Sequence, residues 1–251
     1  MADYQAQGLK YNGDHLPCLK MEWVEGETLS VYLRRRGNDA ATFHDLREKF
    51  AALAEHLEEH GIAHGDIQAD NIIVTPEGDL KLIDYDGLFV DGLTTNDASE
   101  VGLPGYQHPE RSLLHFGPNI DRFSFALLDL TFAALSADPS LRKQFPAGDQ
   151  ALLFDREDYL NPNGSKRFAA AEEIERVSAL AANFKKICLA SILETPRLAE
   201  FREGKNIPTP KRKPVSAKTK TVQPEVESIK RRNEDLGFCK KSASYSACKE
   251  D

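Results

Sequence analysis

Residues 64 to 87 constrain this chain more than any other stretch. They read His64-Gly65-Asp66-Ile67-Gln68-Ala69-Asp70-Asn71, then Ile72-Ile73-Val74, Thr75 to Asp79, Leu80-Lys81-Leu82-Ile83 and Asp84-Tyr85-Asp86-Gly87. The pattern is a polar loop, a hairpin and a second polar loop. Ile72 to Val74 and Leu80 to Ile83 are short apolar runs of strand-like composition. Between them, Thr75-Pro76-Glu77-Gly78-Asp79 has Pro and Gly where a turn needs φ fixed or positive. A hairpin brings its ends together, so Asn71 and Asp84 are expected side by side, with Asp66 a few residues away. Two oxygen ligands and a third carboxylate converging at strand ends suit a hard divalent cation such as Mg²⁺, which takes one or two protein carboxylates plus substrate phosphates.

The stretch resembles the catalytic core of protein kinases, whose pattern is His-Arg-Asp, four residues, Asn, a hairpin and Asp-Phe-Gly. His64, Asp66 and Asn71 match at that spacing, and Asp84-Tyr85-Asp86 stands in place of Asp-Phe-Gly. The resemblance implies that Asp66 accepts the substrate hydroxyl proton, and that Asn71 and Asp84 hold Mg²⁺ on the phosphates of ATP. An isolated Asp-x4-Asn is a weak signal. The loop, the hairpin length and the second Asp together are specific.

Leu16 to Val24 reads as a strand broken by Glu25-Gly26-Glu27. It resembles the last N-lobe strand and hinge of a kinase, which implies that Met21 flanks adenine and that the backbones of Glu22 and Val24 bond its edge. Residues 1 to 15 are polar and end in the turn signal Asn12-Gly13-Asp14. Thr28 to Arg36 predicts a short helix. His44 to His60 predicts a longer one, with Leu46, Phe50, Leu53 and Leu57 as its core stripe and Gly61 as its stop. The stretch from Gly87 to Gly105 is too irregular for an element and resembles an activation segment, with Pro109-Glu110 as the end of its Ala-Pro-Glu. Asn119 to about Leu135 is an apolar helix. Asp121 at its start either ties to the catalytic-loop backbone, as the resemblance implies, or caps the helix. After short helices and loops over 138 to 170, a long helix is expected from Glu172 to about Leu193, with Ile174, Val177, Ala181, Phe184 and Cys188 on one face.

Charge divides the chain. From Lys205 onward there are 12 Lys/Arg and 6 Asp/Glu, so this end carries +6 while the remainder carries −14. An acidic body speaks against a nucleic-acid-binding core. Lys211-Arg212-Lys213 reads as a solvated linker before a weak anionic contact. Few large apolar residues follow Gly204, so a disordered tail is expected. No run of 18 apolar residues is present, which excludes a helical membrane span. The first residues are neither basic nor apolar, so no signal peptide is expected. Cys18, Cys188, Cys239 and Cys248 lack metal spacing and read as reduced cytoplasmic thiols.

The expected fold is therefore α+β: a kinase-like hinge and C-lobe over 1–204, mostly helical with short β-hairpins, and a basic disordered tail over 205–251. The kinase resemblance covers about residues 5 to 200. The Gly-rich loop, the strand Lys and the helix Glu that precede the hinge in kinases have no counterpart, so the adenine pocket lacks its roof and the phosphates their Lys. Gly65 replaces the loop Arg that reads an activation-segment phosphate, and Gln68 stands where Ser/Thr kinases carry Lys. The expected function is transfer of the ATP γ-phosphoryl to a protein Ser/Thr hydroxyl by a bacterial-type kinase, impaired by the missing lobe. A pseudokinase or interaction module, and a small-molecule phosphotransferase resembling aminoglycoside and choline kinases, are the alternatives.

Overall fold

The computed structural model describes residues 2–36, 39–146 and 151–212. The chain divides into two units at 215/216. The second unit, and most of the tail expected to be disordered, lie outside the described residues.

The fold is α+β. Its first element is a hairpin of β1 (Ala2–Tyr11) and β2 (Asp14–Met21). Asn12 and Gly13, both at positive φ, form the two-residue turn between Tyr11 and Asp14, matching the right-handed twist of the strands. The polar N-terminal residues, in which the sequence marks only the turn at Asn12-Gly13-Asp14, thus form a strand, paired to the segment expected from Leu16. That second strand begins two residues earlier and stops at Met21. Tyr4, Leu9, Tyr11, Leu16 and Leu19 all stand out from this hairpin into solvent.

After the coil 22–26, the two-residue strand β3 (Glu27–Thr28) leads directly into α1 (Leu29–Arg36), which buries Leu29 and Leu33. Asp39 caps α2 (Ala40–Glu59), accepting from the N–H groups of Ala41 and Thr42. The helix therefore starts four residues before the expected His44, because the cap lies outside the apolar stripe that locates a helix in sequence. Leu46, Phe50 and Leu57 are buried as expected, and Leu53 packs half-buried beside them. Gly61 ends the helix at φ 64°, with its own N–H on the Glu58 carbonyl and that of Ile62 on the Leu57 carbonyl. A side chain at C′ would be strained there.

β4 (Ile72–Val74) and β5 (Leu80–Leu82) form the expected hairpin, and β3 adds to it as a third antiparallel strand through Glu27–Val74 and Thr28–Ile73. This small sheet fixes the segment 21–26 above the hairpin. Two single 3₁₀ turns, Thr95–Asp97 and Pro104–Tyr106, punctuate the irregular stretch that follows.

Helix α3 (Arg122–Ala137) is the hub. Every side chain from Phe123 to Leu135 is buried, so the helix is enclosed around its whole circumference, as a central helix is. Phe50 of α2 meets Phe125 and Phe132 edge-on at 5.9 and 6.0 Å. Burial of each such ring contributes roughly 1.5–3 kcal/mol. The short helices α4 (Leu141–Gln144), α5 (Arg156–Leu160) and α6 (Lys166–Glu173) follow, and α7 (Glu175–Cys188) packs on α3 through Phe184 and Phe123 at 5.0 Å. The long helix expected from Glu172 is broken: Ile174 is extended (φ −85°, ψ 107°) between α6 and α7, and the second helix ends at Cys188. The apolar spacing runs on through that break, which is why it reads as one helix. The last helix, α8 (Leu198–Arg202), places Phe201 against Phe184 at 6.1 Å. No helix among the described residues is long and apolar enough to cross a membrane.

Asp129 is a buried carboxylate on α3. Arg47 grips it through two parallel bonds of 2.8 Å, and Arg202 Nε adds a contact at 3.0 Å. The network ties α2, α3 and α8 together.

Candidate active site

The loop 64–71 is built from the inside out. Asp121, 1% exposed, accepts the backbone N–H of His64 on Oδ2 and that of Gly65 on Oδ1. It makes no cap to its own helix. Of the two roles open to Asp121, the structure shows the tie to the loop. Burial pushes its carboxyl pKa up, and the two N–H bonds oppose that rise. Gly65 sits at φ 85°, so tightly against Gly87 that a Cβ would run into the Gly87 carbonyl. No Arg fits at that position in this backbone.

His64 is 1% exposed, and its Nε2 lies 3.0 Å from the carbonyl of Ile83. That carbonyl sits one residue before Asp84, so the imidazole couples the two polar loops. Tyr85 flanks His64 at 5.6 Å and donates its hydroxyl to the Leu82 carbonyl at 2.6 Å. Asp84 is held at φ 66°, a conformation Asp tolerates better than most residues. Outliers of this kind cost about 1–3 kcal/mol and cluster at functional sites.

The pairing Ile72–Leu82 and the bond from Ile83 N–H to the Asn71 carbonyl, 3.0 Å, bring Asn71 beside the start of the second loop, as expected of the hairpin. Asn71 spends its amide N–H groups on the carbonyl and on Oδ2 of Asp66, both at 2.9 Å. Its own Oδ1 is left as an acceptor. Asp66, 8% exposed, also accepts from Gln68 Nε2 on Oδ2 and from Leu103 N–H on Oδ1, both at 2.7 Å.

A cavity of about 670 Å³ opens between the coil after β2 and the β4–β5 hairpin. Met21, Glu22 and Val24 line it together with Asp84, joining sequence positions sixty residues apart. Glu25, Glu77 and Lys81 are also in its wall. Asp66 and Asn71 are outside that wall. Among the described residues, no three His, Cys, Asp or Glu side chains form a group that could hold a metal ion. The oxygen donors presented here are the Asp84 carboxylate and the Asn71 amide.

Three participants escape a sequence reading. Glu100 reaches the second loop, close to Gly87; burial, then the charges of Asp66, Asp84 and Asp86, push its pKa up. Leu103 contributes only its backbone N–H, which no residue type announces. Gln107 donates to the Gly65 carbonyl at 3.2 Å, pinning the segment after Gly87 to the loop. All three lie in or just beyond a stretch without periodicity, so no sequence signal places them.

No protein-family model matches the chain. It is similar to curated Ser/Thr kinases over part of its length. The chain is 29% identical over 116 residues to serine/threonine-protein kinase SMU1 of Mycosarcoma maydis, covering 43% of this chain and 15% of that protein. It is 32% identical over 114 residues to serine/threonine-protein kinase STE20 of Saccharomyces cerevisiae, 43% of this chain and 12% of that one. It is also 29% identical over 144 residues to the interferon-induced, double-stranded RNA-activated protein kinase of Mus musculus, 49% and 27%. The match thus spans well under a third of each of these relatives. These similarities support a protein-kinase-like relationship.

Proposed function

We propose that the cavity and the 64–87 stretch form the nucleotide side of a kinase-like hinge and C-lobe, moving the γ-phosphoryl of ATP to a protein Ser/Thr hydroxyl. The observation that carries this reading is the Asp66–Asn71 bond, made beside an Asp84 that opens into the same cavity as Met21, Glu22 and Val24. In this reading Asp66 accepts the proton of the hydroxyl, Met21 flanks the adenine, and the backbones of Glu22 and Val24 bond its edge. Asn71 Oδ1 and the Asp84 carboxylate would hold Mg²⁺, a donor set that fits an ion completed by phosphate oxygens and water. When bound, Mg²⁺ supplies positive charge against the phosphates.

Impaired turnover, expected from the missing lobe, is also supported by the charge of the cavity wall. Glu22, Glu25, Glu77 and Asp84 line it with Lys81 as the single basic residue, an unfavourable field for a polyanion. The location proposed with this reading is the cytoplasm, where free Cys18 and Cys188 stay reduced.

A second reading, a pseudokinase or interaction module, is favoured by the β1–β2 hairpin, whose apolar side chains stand in solvent. Isolated two-stranded hairpins are at best marginally stable in water. The experiment that separates the readings is a phosphoryl-transfer assay with Mg·ATP, run against a protein mixture and a panel of amino alcohols, with Asp66→Asn as control. Asp66-dependent labelling of protein supports the proposal. Labelling of the amino alcohols alone redirects it to a small-molecule kinase, and no Asp66-dependent transfer to either leaves the interaction module.

A further inference from the structure

The three bonds to Asp66 restrict how it can act. A carboxylate offers about four acceptor positions, two on each oxygen. Oδ2 takes Gln68 Nε2 at 2.7 Å and Asn71 Nδ2 at 2.9 Å, so it is full. Oδ1 takes the Leu103 N–H at 2.7 Å and keeps one position. Hydrogen bonds to a charged oxygen are roughly twice as strong as neutral ones, so together the three resist rotation of the carboxylate.

We propose that Gln68 is a positioning residue: it closes Oδ2 of Asp66, so that an acceptor hydroxyl gives up its proton only at Oδ1, beside the Leu103 N–H. The inference rests on the reading of Asp66 as the base of a phosphotransferase. The hydroxyl oxygen bonds to the γ-phosphorus as its O–H bond breaks. The proton goes to Asp66 Oδ1, and ADP leaves with the electron pair of the broken P–O bond. The acceptor is thereby laid along residues 102–103. A neutral amide suits this role, because it occupies the lone pair without pairing the carboxylate's charge, as a Lys ammonium would. With Gln68 removed, Oδ2 opens to water, and hydrolysis of ATP competes with transfer.

The test uses the full chain labelled with ¹³C and ¹⁵N, and reads the Asp66 carboxyl resonance, identified by its loss in Asp66→Ala. In Gln68→Ala that resonance moves while amides of α3 stay in place; Gln68→Leu, which keeps the bulk without the donor, behaves the same way. Gln68→Lys, which keeps a donor, gives a resonance distinct from both. An Asp66 resonance unchanged in Gln68→Ala and Gln68→Leu overturns the proposal. In transfer to casein, Gln68→Ala lowers kcat about tenfold, less than the roughly 10²–10⁴-fold contribution of the acid–base group it positions, with KM for Mg·ATP nearly unchanged. Phosphate released to water rises relative to phosphate transferred. A raised KM at constant kcat also overturns the proposal. Absence of transfer by the wild type counts against the phosphotransferase reading, whereas the resonances decide Gln68 by themselves.

Discussion

His108 makes the fold acid-sensitive by an amount that the geometry sets. Its ring is fully buried, edge-on to Phe123 at 5.2 Å. Nδ1 accepts the Glu110 N–H at 3.1 Å, so the Nε2–H faces the Ile187 carbonyl at 3.2 Å. The neutral ring satisfies both partners. A second proton would have to displace the Glu110 N–H. Burial drives the pKa from 6.5 down to about 3, against the Ile187 carbonyl, and the nearby cations Arg212, His115 and Arg156 push it the same way as burial. Because the folded value lies below the unfolded one, the unfolded chain binds more protons between them. Stability is complete above the unfolded value and is lost as pH falls toward the folded one. Each pH unit in that window is worth about 1.4 kcal/mol, so going from pH 7 to pH 5 removes about 2 kcal/mol. Urea unfolding of wild type and His108→Asn at pH 7, 6 and 5 measures it, provided the transition is two-state. Glu58, Glu100 and Asp158, whose pKa values burial raises, act with the opposite sign but cancel in the difference. Wild type should lose about 2 kcal/mol more than the variant over this range. Parallel pH dependences would refute the reasoning.

Gly65→Ala, at φ 85° and against the Gly87 carbonyl, should destabilise the protein by about 2–4 kcal/mol in urea unfolding. A cost below about 1 kcal/mol would show that the loop can relax. Asp129→Ala leaves Arg47 without its buried partner and should cost about 3–5 kcal/mol, with the thermal midpoint as readout. Replacing Thr94, Thr95 and Ser99 together by Ala should leave any phosphoryl-transfer activity within about twofold. The segment stays docked through the Leu103 N–H and Gln107, which these substitutions leave in place, and no loop Arg is present to read a phosphate. A large loss of activity in the triple variant would contradict that.

Local chemistry makes parts of the fold legible in sequence. The β4–β5 hairpin follows from two apolar runs around a Pro- and Gly-containing turn, and α2 from a stripe that Gly61 must end. Asp121 is ambiguous in sequence because both of its roles require the same residue at the same place; only the partners of its oxygens distinguish them. The break at Ile174 is invisible to periodicity, since an extended residue inside an apolar pattern changes no residue type. β1 escapes detection because its side chains face solvent and leave no alternation of buried and exposed positions. The candidate site divides along the same line. Asp66, Asn71 and Asp84 carry their spacing in the sequence, whereas Glu100 and the Leu103 N–H are brought to the site only by the folding of an aperiodic segment.

The most direct test of the account is calorimetric titration of the full chain with ATP, with and without Mg²⁺, beside Asp84→Ala. The proposed site predicts binding that requires the metal and disappears in the variant. Absence of binding by a folded wild-type sample, or binding that neither Mg²⁺ nor Asp84 affects, would contradict it.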